Sequence, residues 1–385
     1  MNFGLKKKAL MVFVATALSA SLAAPAQAVD LQGSGASFVD PLLQACKASF
    51  AQKTGHSYVY TSTGSGTGKK NSDAKVGDFW FSDSRHSASS KRSTVYHAPL
   101  VAAPIAVLVN LPAKKDIYLS PTTVAKIFAG EITKWNDPEI AADNNRSVKV
   151  TVLRKDRETG NVLLDKDGNP RVLRTSTKRL YYTLPNKPIT VIYRSDGSGT
   201  SNNFTSWMNG VAPTIWTKKG NDAFTTAFPG DINAAGNIGR FVGAGQSQGV
   251  ATSAQKTKYS ITYAEKNWGD SYGLRSAYIG NAAGEFTAPD SAATSAFLAS
   301  ATQADDGTVT YDYNTKTKGA YTLGIVSYML LETSYENKSR GAAVVELAKH
   351  IVSPDCPGAN PKLGFIIIEG DFLKKANEQI AKANQ

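Results

Sequence analysis

The chain has 385 residues, 42% of them hydrophobic, and its 43 Lys and Arg against 31 Asp and Glu give a formal net charge of +12. This length suggests two domains with cores of their own, and the charge fits an anionic partner as well as an ordinary basic exported protein. Because the basic residues are not clustered with aromatics, and the four histidines lack metal-ligand spacing, we expect no nucleic-acid binding, metal site or cofactor.

Residues 1–28 are typical of an export signal. Three Lys at 6–8 precede an apolar run over 9–22, and a small-residue cleavage site follows at 26–28. The run is too short for a membrane span, and no Cys follows the cleavage site, so we expect no lipid anchor. The mature protein, beginning at Val29, is therefore expected to be periplasmic or secreted.

Residues 29–105 predict the order β–α–β–α–β, with a polar loop after each strand. The first loop contains Ser37 and Phe38, the second is the glycine-rich 64–68 around Ser65, and the third strand, 76–83, ends on Asp83. Open α/β sheets bind ligands outside the carboxyl ends of their strands, so these loops are candidates for one site. Taken singly, the two serines are typical of helix caps and Asp83 of a turn.

Two apolar segments suggest crossings between lobes. The strand over 101–110 contains Pro104, and a second apolar strand runs from Thr322 to Leu331. We therefore predict one lobe from 29–105 plus 322–385 and another from 106–321. Within the second, 154–187 is rich in charge and contains an Asp-Gly turn, so we interpret it as an insertion.

The most informative stretch is Val191 to Ser201. A β-branched and aromatic strand ends at Arg194, Asp196-Gly197 and Ser198-Gly199 break it, and apolar residues from Phe204 onward recur at helical spacing. Backbone N–H groups at a helix start, beside a planar guanidinium, favour an anion. The alternative is a capped helix after a turn, but three loops of the same kind favour the anion site.

The remaining chain gives weaker indications. Residues 210–245 are expected to be irregular, and 285–305 to form an Ala-rich helix. The only cysteines, Cys46 and Cys356, could pair in an oxidising compartment, and we predict that they do, although two separate buried thiols are the alternative.

Two common catalytic signatures, the nucleophile elbow and the Walker A loop, do not fit this sequence. Thr63 and Asp196 stand where a nucleophile elbow around Ser65 or Ser198 needs its first glycine. The run 63–70 misses a Walker A loop at both ends, since Thr63 and Lys70 replace the required Gly and Ser/Thr. We therefore expect no enzyme activity.

Together with the export signal, these loops resemble the PstS family, the phosphate-binding proteins of bacterial ABC phosphate transporters. The resemblance is strongest at residues 33–38, 64–66, 78–83, 127–130 with 134–135, and 194–201, and the last is the most specific. It implies a two-lobe type II periplasmic binding protein fold of class α/β, in which each lobe is a mixed sheet flanked by helices and the ligand lies between the lobes. Residues 154–187 and much of 210–320 fit the family poorly.

The resemblance also implies a ligand set. By position, eight residues would contact phosphate, namely Ser37, Phe38, Ser65, Asp83, Arg194, Ser198, Gly199 and Thr200. Ser37 stands where the family usually has Thr, and Asp196 would orient Arg194. The implied protein is a monomer that captures inorganic phosphate and delivers it to a membrane ABC permease. The alternatives are a binder of another tetrahedral oxyanion such as sulfate, an exported phosphatase or phosphoryl-transfer enzyme, and an adhesion protein with this fold.

Overall fold

The computed structural model describes residues 28–87, 89–113, 115–358 and 360–385. The predicted export signal therefore lies, apart from Ala28, outside the described residues. The first half of the chain forms β1 (Asp30–Gly35), α1 (Asp40–Thr54), β2 (Ser57–Ser62), α2 (Ser65–Asp73), β3 (Phe79–Ser82), β4 (Val95–Val109), β5 (Tyr118–Leu119), α3 (Pro121–Ala129), α4 (Pro138–Asn144), β6 (Ser147–Leu153), β7 (Val172–Arg179) and β8 (Thr190–Arg194). The second half forms α5 (Gly199–Val211), α6 (Phe224–Ala227), β9 (Phe241–Ala244), α7 (Gln246–Lys256), β10 (Ser260–Glu265), α8 (Lys266–Ser271), β11 (Arg275–Ser276), β12 (Tyr278–Gly280), β13 (Phe286–Thr287), α9 (Ser291–Leu298), β14 (Thr302–Gln303), β15 (Val309–Thr310), β16 (Gly324–Glu332), α10 (Lys338–Val352) and α11 (Gly370–Ile380).

The main sheet runs through two lobes because one long strand belongs to both. The strand order is β2-β1-β3-β16-β4-β10-β8-β9. The part of β4 from Val95 to Pro104 pairs antiparallel with β16, and the part from Ile105 to Val109 pairs antiparallel with β10. The change of partner at Pro104 joins the two halves. We call the part built on β2, β1, β3 and β16 lobe one, and the part built on β10, β8 and β9 lobe two.

Each lobe contributes three parallel strands whose carboxyl ends carry the polar loops. In lobe one, β1 lies between β2 and β3 and is parallel to both. In lobe two, β8 lies between β10 and β9 and is parallel to both. The loops that follow β1, β2, β3, β8 and β9 contact one another across the cleft, as the hydrogen bonds described below show.

The core forms mainly where helices cover the sheet. Leu42, Leu43, Cys46 and Phe50 line the buried face of α1, as their spacing predicts, and Gly55 ends the helix in a left-handed conformation, with φ 73°. The sulfurs of Cys46 and Cys356 are bonded, with their Cα atoms 5.2 Å apart, which ties α1 to the segment after α10.

An aromatic cluster supports the site from inside lobe two. The rings of Phe204 on α5 and Tyr263 on β10 stack with centroids 4.4 Å apart, and Phe128 on α3 and Phe224 on α6 pack around them. Such ring pairs add to the free energy of burial. The cluster fixes the Tyr263 hydroxyl, which accepts a hydrogen bond from the Arg194 amide at 3.2 Å.

The segment predicted to be an insertion forms part of an extended hairpin. The β6 and β7 strands pair antiparallel over 147–153 and 172–179, and residues on β7 are exposed throughout. The predicted Asp-Gly turn lies in the connection, where the Asp165 amide donates to the Asn169 carbonyl at 2.8 Å and Gly168 has φ 80°. Apolar periodicity is weak here because neither strand lies against the main core.

Two local expectations were wrong. Residues 241–244, expected to be irregular, form the edge strand β9, because pairing with β8 decides its conformation. The helix expected over 285–305 is limited to α9, since Asp290 caps its start and short strands flank it at 286–287 and 302–303. Among the described residues, no helix is both long and apolar enough to cross a membrane.

Candidate anion-binding site

Four helix N-termini meet where the two lobes contact each other. They belong to α1 and α2 of lobe one and to α5 and α7 of lobe two. The N-cap residues of α1 and α2 make no side-chain cap, whereas the first two amides of α7 donate to Asp196 Oδ1 at 2.9 Å and to Ser37 Oγ at 3.1 Å. The Oγ atoms of Ser37, before α1, and Ser247, in the first turn of α7, are 3.0 Å apart. Unpaired N–H groups and aligned helix dipoles favour an anion at such a meeting point.

The structure buries the predicted residues of lobe one beside each other. Ser65, at the start of α2, accepts a hydrogen bond from the Asp83 amide at 3.1 Å, and its hydroxyl donates to Asp83 Oδ2 at 3.3 Å. The ring of Phe38 packs edge-to-face against Phe365, with centroids 5.8 Å apart. Within the described part of the chain its backbone amide donates no hydrogen bond, so this N–H remains available.

Arg194 is held rigidly at the carboxyl end of β8. Its Nε and Nη2 donate to the two carboxylate oxygens of Asp196 at 2.7 and 2.5 Å, and its Nη1 donates to Ser247 Oγ at 3.2 Å. Asp196 also accepts a hydrogen bond from the Gln246 amide at 2.9 Å. This bidentate pair fixes the plane of the guanidinium and leaves Nη1 to reach Ser247 in the cluster.

The start of α5 presents the three remaining predicted residues. Ser198 is the N-cap of α5 and accepts from the Ser201 amide at 3.0 Å, so the capping interpretation applies to its side chain. The Thr200 hydroxyl lies 3.5 Å from Asp83 Oδ2 and 3.5 Å from Glu265 Oε1. All of these side chains are buried. The structure therefore brings the predicted site residues into one cluster.

Gly199 lies at a tight contact between the lobes. A Cβ added there would meet Ser65 Oγ at 2.6 Å and both Asp83 Cβ and the Ser84 amide nitrogen at 2.7 Å. A second contact joins Gly66 N to the Gly197 carbonyl at 2.8 Å. Only residues without side chains allow such an approach.

An ion pair and a side-chain amide also bridge the lobes. Lys69 Nζ on α2 lies 2.6 Å from Asp222 Oδ2, and both side chains are largely buried. Gln246 Nε2 donates to the Ser62 carbonyl at 2.7 Å. The cleft is therefore closed over the site.

Asp83 is the acidic group at the lobe-one side of the site. Its Oδ1 accepts a hydrogen bond from Ser327 Oγ on β16 at 2.6 Å. Burial raises the pKa of Asp83 to about 6, although hydrogen bonds from Ser327 and Ser65 and the charge of Arg194 oppose that rise. Such a carboxylate is a strong acceptor for an acidic proton on a bound anion.

Sequence reasoning missed three residues of this cluster, Ser247, Glu265 and Ser327. Ser247 follows a strand and a glycine-containing loop, which is the same signal that the other loops gave. Glu265 is the last residue of β10, in the same way that Asp83 directly follows β3, and its side chain is also buried. Ser327 lies in mid-strand, where the sequence offers no signal. Among the described residues, no group of three or more His, Cys, Asp and Glu is arranged to hold a metal ion.

The combination of groups limits what can bind. Hydroxyls, backbone N–H groups and one guanidinium supply donors on several sides, as a compact tetrahedral oxyanion requires. Two buried carboxylates supply acceptors, which an anion can satisfy only if it carries protons. The site therefore suits a protonated oxyanion.

Known proteins share both this sequence pattern and this fold. The family model for the "PBP superfamily domain" matches residues 21–354. A phosphate-binding protein PstS of Haemophilus influenzae is 30% identical over 282 residues, which are 72% of this chain and 70% of that protein. A PstS of Pasteurella multocida is 29% identical over 301 residues, covering 77% and 72% of the two chains.

Solved structures agree on the fold. The high-affinity periplasmic phosphate-binding protein PfluDING, bound with phosphate, superimposes with a TM-score of 0.65 at 20% identity, and the match covers 91% of this chain and 93% of that one. The architecture is thus the two-lobe α/β fold that the sequence predicts. Because of these sequence relatives and this fold, the chain belongs to the PstS family within the PBP superfamily.

Proposed function

We propose that this protein is an exported solute-binding protein that captures inorganic phosphate and delivers it to a membrane ABC permease. The relatives named above are phosphate-binding proteins, which supports the ligand. The observation that carries the proposal is the buried pairing of one acceptor, Asp83, with a fixed guanidinium, Arg194, at the meeting point of four helix N-termini.

The proposed ligand set is the one predicted from the sequence. Hydroxyls of Ser37, Ser65, Ser198 and Thr200, backbone N–H groups of Phe38 and Gly199, and the Arg194 guanidinium donate to phosphate, and Asp83 accepts its proton. Asp196 orients Arg194. Donors on every side are needed, because an unpaired buried charge is very costly.

The proposed lobes are 29–105 plus 322–385 and 106–321. The partner exchange of β4 at Pro104 supports the first boundary, and β16, which begins at Gly324 and pairs with β3 and β4, supports the second. Rotation about these two crossings would open the cleft, as in other hinge-bending binding proteins. The mature chain acts as a periplasmic or secreted monomer after signal cleavage, without catalysis and without nucleic acid.

Titration calorimetry of stripped mature protein with phosphate and sulfate tests the ligand. Phosphate near neutral pH keeps a P–OH proton that Asp83 accepts, whereas sulfate has none, so wild-type protein should bind phosphate far more tightly. In Asp83→Asn the amide can donate to an unprotonated oxygen, so sulfate affinity should rise far more than phosphate affinity changes.

A matched control is Asp143→Asn, which alters a buried carboxylate that accepts from the Ser120 amide and the Thr123 hydroxyl outside the cluster. It should leave both affinities unchanged. Equal wild-type affinity for the two anions would contradict phosphate as the ligand. Release of phosphate from a chromogenic ester, with or without divalent metal, would contradict the non-catalytic assignment.

A further inference from the structure

Glu265 is a second buried carboxylate that the proposed ligand set does not use. It ends β10 beside Arg194, with 1% of the residue exposed. Its Oε1 accepts from Ser247 Oγ at 3.2 Å and lies 3.5 Å from the Thr200 hydroxyl, which reaches Asp83 on its other side. Its Oε2 is buried without a hydrogen-bond partner among the described residues. Glu265 is thus part of the cluster, with one oxygen left to receive a proton.

The charges around Glu265 do not balance without protons. Arg194 on β8 is the cation of the cluster, and its Nε and Nη2 already bind Asp196. Asp83 of lobe one faces the same hydroxyl as Glu265. A bound anion adds further negative charge to these carboxylates, and buried charge of one sign is costly.

The other titratable neighbours do not compensate. Tyr263, on the same strand as Glu265, stays protonated near neutral pH because burial raises its pKa to about 12. Lys266 and Asp270 on α8 pair with each other, and Lys69 pairs with Asp222. Protons on the anion or on Glu265 must therefore supply the missing balance.

We propose that phosphate binding is proton-coupled through Glu265, so that the occupied site holds one proton between phosphate and Asp83 and a second between phosphate and Glu265. This inference rests on the proposed function. Above neutral pH, free phosphate is mainly HPO₄²⁻ and brings one proton. Solvent supplies the other, which completes an O–H···O bond between a phosphate oxygen and Oε2. One proton is then taken up for each phosphate bound.

The electrostatics agree with this assignment. Burial, and to a smaller extent the nearby charge of Asp83, raise the pKa of Glu265 to about 7, while the charge of Arg194 opposes the rise. Above about pH 8, Asp83 and Glu265 are thus both ionised in the free protein. A proton that is taken up when phosphate binds is therefore the second proton of the complex.

Calorimetry with inorganic phosphate in two phosphate-free buffers of different ionisation enthalpy measures the uptake directly. Wild-type protein should take up about one proton per phosphate at about pH 8.5, and its Kd should rise about tenfold per pH unit above that. Glu265→Gln should take up none, and its Kd should stay nearly constant over the same range. The wild-type Kd divided by the Glu265→Gln Kd should therefore grow with pH.

Glu285→Gln is the matched control. Glu285 is a buried glutamate that accepts from the Gly319 amide at 2.6 Å and from Thr151, away from the cluster, and its variant should retain the uptake. Wild-type binding without proton uptake, or full uptake in Glu265→Gln, would overturn the proposal while leaving phosphate binding intact. Loss of phosphate binding in a folded Glu265→Gln variant would also overturn the proposal. Glu265 would then be a ligand that binding requires, rather than a group that only accepts a proton. Absence of wild-type binding would instead contradict the proposed function.

Discussion

Replacing Gly199 by alanine should weaken phosphate binding and leave the fold intact. The added Cβ would lie 2.7 Å from Asp83 Cβ and from the Ser84 amide nitrogen. These atoms belong to the chain after β3 and cannot rotate away as the end of a flexible side chain could. Overpacking of this kind costs about 1–3 kcal/mol, which corresponds to an increase in Kd of about 5- to 150-fold.

The penalty should fall on the closed cleft rather than on the folded chain. The atoms that the new methyl group would meet belong to lobe one, whereas Gly199 begins α5 of lobe two. Opening the cleft relieves the clash without unfolding either lobe. In a helix interior, alanine is favoured over glycine by up to about 1 kcal/mol, so the free energy of unfolding without phosphate should be unchanged or slightly raised.

Phosphate calorimetry and denaturant unfolding of the unliganded protein together test this reasoning. Gly249→Ala is the control, because it adds a methyl group to α7 with its nearest neighbours 4.0 Å away. The reasoning fails if Gly199→Ala binds phosphate within about twofold of wild type, or if its loss of affinity is matched by a loss of unfolding free energy.

Other changes probe separate parts of the protein. Arg194→Ala leaves Asp196 without its ion-pair partner and should weaken phosphate binding by about 2–5 kcal/mol. If calorimetry gave this variant a Kd for phosphate within about twofold of wild type, Arg194 would not be a ligand. Thiol labelling of denatured, unreduced protein should find no free thiol at Cys46 or Cys356, and two per chain would contradict the disulfide. Because burial raises the pKa of Asp83 to about 6, the folded protein holds a proton that the unfolded chain releases. Without phosphate, this group should therefore lower the unfolding free energy as pH rises from about 4 to 6, by an amount on the order of 1–3 kcal/mol. Asp83→Asn should remove that contribution in pH-dependent urea unfolding.

Local sequence determined the elements that present the site. Strand β8 is a β-branched and aromatic run that stops at a Ser, Asp and Gly loop, and α5 begins within that loop at Gly199. These signals depend on the backbone preferences of a few neighbouring residues, so they can be recognised without knowing the fold. The pairing of Arg194 with Asp196, only two residues away, is also local.

Tertiary structure decided which loops meet and which charges share the site. Ser37 lies beside Ser247, and Asp83 beside Thr200, only because β4 carries the main sheet from one lobe into the other. Gly199 looks like any helix-start glycine until lobe one packs against it.

The same holds for Glu265, whose sequence context is an ordinary strand end. Its burial follows from packing between elements that are distant in the chain, and burial is what raises its pKa. The sequence by itself thus determined the family, the elements and the loop residues that we propose as anion ligands. The closed contact at Gly199 and the second carboxylate depend on long-range packing, because distance and desolvation are properties of the assembled fold.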